Sequence, residues 1–203
     1  MENSLTLSGE QVLLLGQLME IDPWLGVAIQ ISQADQKLLS TGLLKACNTL
    51  ETEGLIVRQS NGKIGMAEWL FAVLSAIKEA DAILSINANE NHESSISVTI
   101  FKKMDHFVLQ SWSKHDGVKL TPYVKIDDLK NELQKETNSL LNLHDIESYT
   151  VEIYDKELNC LHNATENANF SMSTGPEIAN VQAEMAVQTL NDSIEDFLSH
   201  PFA

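Results

Sequence analysis

The chain has 203 residues, enough to bury a sizeable core without disulfide or metal staples, and its 29 acidic residues outnumber 13 basic ones for a formal net charge of −16. That balance argues against a nucleic-acid-binding surface, which needs clustered Lys and Arg to release phosphate counterions. It suits an exterior that stays soluble and suppresses non-specific contact.

Residues 4–7, SLTL, alternate like a short strand. Ser8, with Gln11 three positions on, supplies a capping box for a leucine-rich helix that begins with VLLLGQLM and is expected to end near Asp22, stopped by Pro23. After the loop WLGVAIQI, Ser32 caps a second helix. Leu38, Leu39, Leu43, Leu44, Cys47 and Leu50 fall at helical spacing along its apolar side. Gly54 is placed to end this helix in the left-handed conformation, and LIVR with the turn SNGK reads as a hairpin. The stretch LETEGLIVRQSNGKI therefore has the order of a winged helix-turn-helix. A third helix over Met66 to Ala80 turns Trp69, Leu70, Val73, Leu74 and Ile77 inward.

From Ile83 to Ile126 the period changes to two. AILSINA, SISVTIFKK, HFVLQSWS and VKLTPYVKI, separated by NENHES, KKMD and KHDG, predict an antiparallel meander. Asp127 or Asp128 opens a helix carrying Leu129, Leu133, Leu140 and Leu141 on its apolar stripe, with the carboxylates favourably placed against the macrodipole. IESYTVEIYD reads as one more strand and NCLHNATENANFSMSTGP as a long polar connection. A last helix from Glu177 to Leu198 has Ile178, Val181, Met185, Leu190, Ile194 and Phe197 on one side. KLTPYVKIDDLKNEL repeats the strand-cap-helix order of SLTLSGEQVLLLGQL, which suggests two pseudo-equivalent halves.

The expected fold is α+β (mixed α/β): an antiparallel sheet backed by helices, with a winged-helix-like N-terminal segment and a C-terminal helix. Residues 1–82 form the helical part and 83–203 the sheet with its helices, in one compact unit.

Motifs for chemistry are missing. The nine glycines make no phosphate loop, and there is no H-E-x-x-H, no G-x-S-x-G and no Cys/His spacing for a metal. Cys47 and Cys160 read as buried or idle thiols, and the six histidines sit mostly in polar turns. No catalytic residue, cofactor or metal is expected. The N-terminus has no secretory signal, and no run of roughly eighteen apolar residues crosses a membrane, so a reducing cytoplasmic setting fits. The sequons at Asn163, Asn169 and Asn191 would matter only in a secreted chain. The supposed recognition helix and wing carry only Lys37, Lys45, Arg58 and Lys63 against Asp35, Glu51 and Glu53.

Of the tryptophans, Trp69 belongs to the core by its period and Trp24 to a loop packed against it. Trp112 is open: Val108, Gln110 and Trp112 share one face of their strand, and Phe107, Leu109 and Ser111 the other. Two readings of the Val108/Trp112 face stand: cover by the C-terminal helix, or an apolar patch for a partner. Val108, Gln110, Trp112, Val181 and Met185 are the candidate partner-binding residues.

Between Leu5 and about Glu136 the succession LTLSGEQVLLLGQLMEIDPWLGVAI, LETEGLIV, MAEWLFAVLSAIKEADAILSI, HFVLQSW and KLTPYVKIDDL resembles the EspG-type chaperones of type VII (ESX) secretion. The resemblance covers about two thirds of the chain; the tail from Tyr149 to Ala203 departs from it, and no individual binding residue carries over by motif. It implies a cytosolic adaptor that holds a helical secreted protein soluble, without cofactor or chemistry, while charge and hydropathy argue against a nucleic-acid or membrane partner. The alternative reading is a winged-helix transcription regulator with a C-terminal ligand or dimerisation domain, which requires a basic stripe.

Overall fold

The computed structural model describes residues 4–27, 36–90, 93–113, 116–123, 125–141, 148–167 and 192–199. Among them the order is β1 (Leu5–Leu7), α1 (Gly9–Met19), α2 (Gln36–Thr52), β2 (Ile56–Arg58), β3 (Ile64–Met66), α3 (Glu68–Lys78), β4 (Ala82–Glu90), β5 (Glu93–Lys103), β6 (His106–Ser113), β7 (Gly117–Tyr123), α4 (Ile126–Leu141), β8 (Ser148–Asp155) and β9 (Cys160–Asn167). A helix over 192–199, here α5, follows. The class is α+β: an antiparallel seven-stranded sheet in the order β1-β7-β6-β5-β4-β8-β9, with helices on both faces, and a separate β2-β3 hairpin.

Local chemistry explains the helix ends. Ser8 caps α1 through its side chain, and the Gln11 side-chain oxygen accepts the Ser8 N–H at 2.8 Å, closing the capping box. The helix stops at Met19, short of the expected end near Asp22. Glu20 turns left-handed (φ 56°), and the N–H groups of Glu20 and Ile21 bond back to Gln17 and Gly16, so a Schellman closure rather than Pro23 ends α1. Gly54 (φ 72°) closes α2 in the same way: its N–H reaches Glu51, and Leu55 N–H reaches Leu50. Ser32 lies outside the described residues. In α2, Ala46 and Leu50 are buried and Cys47 half-buried, but Leu44 is exposed. One residue beyond Leu43, it sits about 100° around the helix and off the stripe.

Alternation splits the sheet into two faces. Leu84, Ile86, Ile100 and Leu109 point to a core closed by Leu129 and Leu133 of α4 and by Ile194, Phe197 and Leu198 of α5. Ile83, Phe101, Val108, Trp112, Val118 and Leu120 point the other way, under Val12, Leu15, Leu50, Leu70 and Leu74 of α1–α3. Each such fully buried apolar side chain contributes roughly 1.5–3 kcal/mol. The N-terminal part is thus built onto the sheet, with β1 as an edge strand paired to β7.

Two expectations are corrected. Cys160–Asn167, read as connection, is strand β9, paired to β8 at the sheet edge. Leu161, His162 and Asn163 there are exposed, so no apolar alternation was needed to form it. The suggested duplication also fails. β1 and β7 do pair, Leu5 opposite Leu120, yet α1 and α4 cover opposite faces, whereas a dyad relating neighbouring antiparallel strands would leave both helices on one.

Candidate functional site

The face under α1–α3 is not apolar throughout. Ser85, Ser97, Thr99 and Gln110 form a buried polar stripe across β4, β5 and β6. Buried polar atoms need partners, and these find them partly in the loop after α1. Trp24 Nε1 donates to Gln110 Oε1 at 2.7 Å, Gln110 Nε2 donates to the Leu25 carbonyl at 2.9 Å, and Ser97 Oγ donates to the Gly26 carbonyl. Gly26 is left-handed (φ 70°), and a Cβ there would stand 1.9 Å from Thr99 Oγ1, so the loop lies flat on the sheet only with glycine at this position. At Gly16 a Cβ would meet the Trp24 ring at 3.3 Å, which brings the indole against α1. The stripe continues outward from Thr99 through Ser85 (3.3 Å) and Asn87 (3.5 Å) to Glu152, which accepts from Asn87 at 3.4 Å and from Asn163 at 3.3 Å. Burial, together with the Glu152 carboxylate, pushes the Tyr154 hydroxyl up to about 12.

Between this clamped loop and α1 lies a groove of about 600 Å³. Val12, Leu13, Ile21, Pro23, Trp24 and Val27 are its apolar lining residues, and two acidic residues complete the lining: Glu20, whose carboxylate accepts from Lys78 Nζ at 3.2 Å, and Asp22. Such a shape takes an apolar side chain or tip.

The sequence-derived partner residues lie elsewhere. Val108, Gln110 and Trp112 are 2%, 0% and 7% exposed, beneath the N-terminal helices and the loop, so they offer no surface patch. Nor does α5, the described part of the C-terminal helix, cover them: it lies on the opposite face, and residues 177–191 of the expected helix fall outside the described residues. Val181 and Met185 fall outside the described residues. Gln110 still serves the groove, as the clamp that seats its wall. Trp24 packs on Gly16 and Gln110, while Trp69 is half-buried. The residues missed were Gly16, Gly26, Ser97 and Thr99. Their one legible signal was the run of hydroxyl and amide side chains at inward positions of β5 and β6.

The hairpin surface bears on DNA. Arg58, the one arginine in the sequence, is held by Glu51 (2.7 Å) and by the side-chain oxygen of Asn48. The Arg58 hydrogen bond lowers the Glu51 pKa, and Glu51 in turn raises that of Arg58. The hairpin's guanidinium is thereby engaged within the chain, and Val57 and Ile64 expose apolar surface beside it. Cys47 is half-buried and Cys160 exposed. Among the described residues no three His, Cys, Asp or Glu side chains converge as metal ligands, and no helix is long and apolar enough to cross a membrane. No protein-family model matches the chain, and no curated protein matches it.

Proposed function

We propose that this chain is a cytosolic, non-catalytic chaperone or adaptor of the EspG type, which holds a helical secreted protein for type VII (ESX-like) secretion. The observation that carries the reading is the groove between α1 and the clamped loop: apolar walls, two acidic residues in its lining, and a loop fixed in place by buried hydrogen bonds. Secreted helical hairpins expose apolar tips that self-associate, and a preformed apolar groove shields such a tip with affinity drawn from burial alone. The −16 charge keeps the complex soluble.

The test is affinity capture of the tagged chain from its native cytosol, reconstitution with the protein recovered, and a DNA-retention assay on the same preparation. A stoichiometric complex with a small helical secreted protein, weakened at least tenfold by Leu13→Asp on the half-buried groove wall in a variant shown to be folded, is the expected result. Salt-sensitive DNA retention without a protein partner would overturn it in favour of the winged-helix regulator.

A further inference from the structure

One end of the sheet carries two apolar side chains where turns ordinarily carry glycine or asparagine. Met104 begins the two-residue turn between β5 and β6 with φ 51°, and Leu158 lies in the turn between β8 and β9 with φ 62°. Left-handed backbone is costly for such residues, and both waste apolar surface on solvent, Met104 at 74% exposure and Leu158 at 38%. Each turn is nevertheless held by an aspartate. Asp81, just before β4, accepts the Met104 N–H at 2.8 Å; Asp155, at the end of β8, accepts from the Glu157 and Asn159 N–H groups at 3.0 and 2.9 Å and from Asn159 Nδ2 at 2.9 Å. The Asn159 bond, above all, holds the Asp155 pKa below the ordinary carboxylate range. Because Ala82 pairs with both Lys102 and Asp155, the two turns leave the sheet at the same end. Three strand spacings separate them, about 14 Å.

We propose that Met104 and Leu158 are a pair of apolar prongs that dock an amphipathic helix of a protein partner bearing Lys or Arg beside its apolar stripe. A helix of about ten residues spans the interval. Charge selects the basic partner. Seven acidic residues at this end (Glu79, Asp81, Asp105, Asp127, Asp128, Asp155 and Glu157) face four lysines (Lys102, Lys103, Lys125 and Lys156), a net charge of −3. Three of those lysines are already engaged: Lys102 lies over the Phe107 ring at 6.0 Å, Lys103 is with Glu79 and Asp81 at 3.6 and 3.8 Å, and Lys156 is with Glu157 at 3.7 Å. An anionic lipid surface would be repelled by the same balance. The prongs use no residue of the groove wall, so this surface stands or falls apart from the reading given above.

The test uses the full chain and two synthetic helices that share one leucine stripe, the first with lysines on its polar face and the second with glutamates. Binding is measured by titration calorimetry for the wild type and for Met104→Gly/Leu158→Gly. Glycine relieves both left-handed positions, so the variant should melt at an equal or higher temperature while binding the lysine helix at least tenfold more weakly. The glutamate helix should bind the wild type at least tenfold more weakly than the lysine helix. Attraction by net charge alone would survive this uncharged exchange, so unchanged binding by the variant overturns the proposal. A lower melting temperature, equal binding of the two helices, tighter binding to phosphatidylserine vesicles than to the lysine helix, or a dimer of the wild type that the exchange abolishes would overturn it as well.

Discussion

The two faces of the sheet are built from the same strands and do different work. Toward α4 and α5 the strands present Leu84, Ile86, Ile100 and Leu109, a mainly apolar layer whose worth is burial, with buried Thr121 opposite Leu109. Toward α1–α3 they present Phe101, Val108 and Trp112 interrupted by Ser85, Ser97, Thr99 and Gln110, which exchange some burial for directed hydrogen bonds to the 24–26 backbone and indole. A uniformly apolar face would cover better but could not fix a loop in one place, because burial has no direction and hydrogen bonds do. Both faces contribute burial, and the α1–α3 face adds positioning of the groove.

The largest expected effect falls on the apolar face. Phe197→Ala removes a 1% exposed side chain that ties α5 to the sheet, at a cost of roughly 3–5 kcal/mol, measured as a drop in denaturation midpoint. A loss below about 1 kcal/mol would mean that α5 adds little to that layer. On the polar face Gly26→Ala comes next. Strain at φ 70° and the collision with Thr99 should lift the loop, at roughly 1–3 kcal/mol, with faster amide exchange over 24–27 while the α4 amides keep their protection. Gln110→Leu follows at about 1–2 kcal/mol, since it leaves the Trp24 indole and the Leu25 carbonyl without partners; red-shifted tryptophan emission would report the freed indole. Equal losses of α4 and loop protection in the last two variants would erase the division between the faces.

Much of this was legible in the chain because it rests on local chemistry. Ser8 with Gln11, Gly54, the S-N-G-K turn and the period-two runs of β4 to β7 each specify their own structure within a few residues. What escaped depends on distant partners. Whether Val108 and Trp112 lie under α1–α3 or under the last helix is set by which way the chain crosses the sheet, and alternation gives only that they share a face. Gln110 reads only as a member of the Val108/Trp112 face until Trp24, 86 residues away in sequence, is seen to bond to it. β9 escaped because an edge strand exposed on both sides needs no apolar pattern. Leu44 was misplaced because leucine frequency was read as a stripe where the helical angle puts it outside.

The smallest expected effect separates the faces by their electrostatics. Tyr149 points into the apolar layer, where burial raises its pKa; Tyr154 points to the other face, where burial is joined by the Glu152 charge and hydrogen bond and the value reaches about 12. In both, the folded chain holds its proton to higher pH than the unfolded chain. Their contribution to stability is therefore complete below the ordinary tyrosine pKa near 10 and is lost as pH rises through each raised folded value, which for Tyr154 is about 12. Phenolate absorbance followed against pH, with Tyr→Phe variants assigning the chain's three tyrosines, should show Glu152→Gln lowering the Tyr154 transition and leaving Tyr149 where it was. Added salt should act in the same sense on Tyr154 by screening Glu152, and should spare Tyr149, whose shift comes from desolvation. If both tyrosines moved together, the Glu152 carboxylate would be felt through the sheet, and the two faces would not be electrostatically separate.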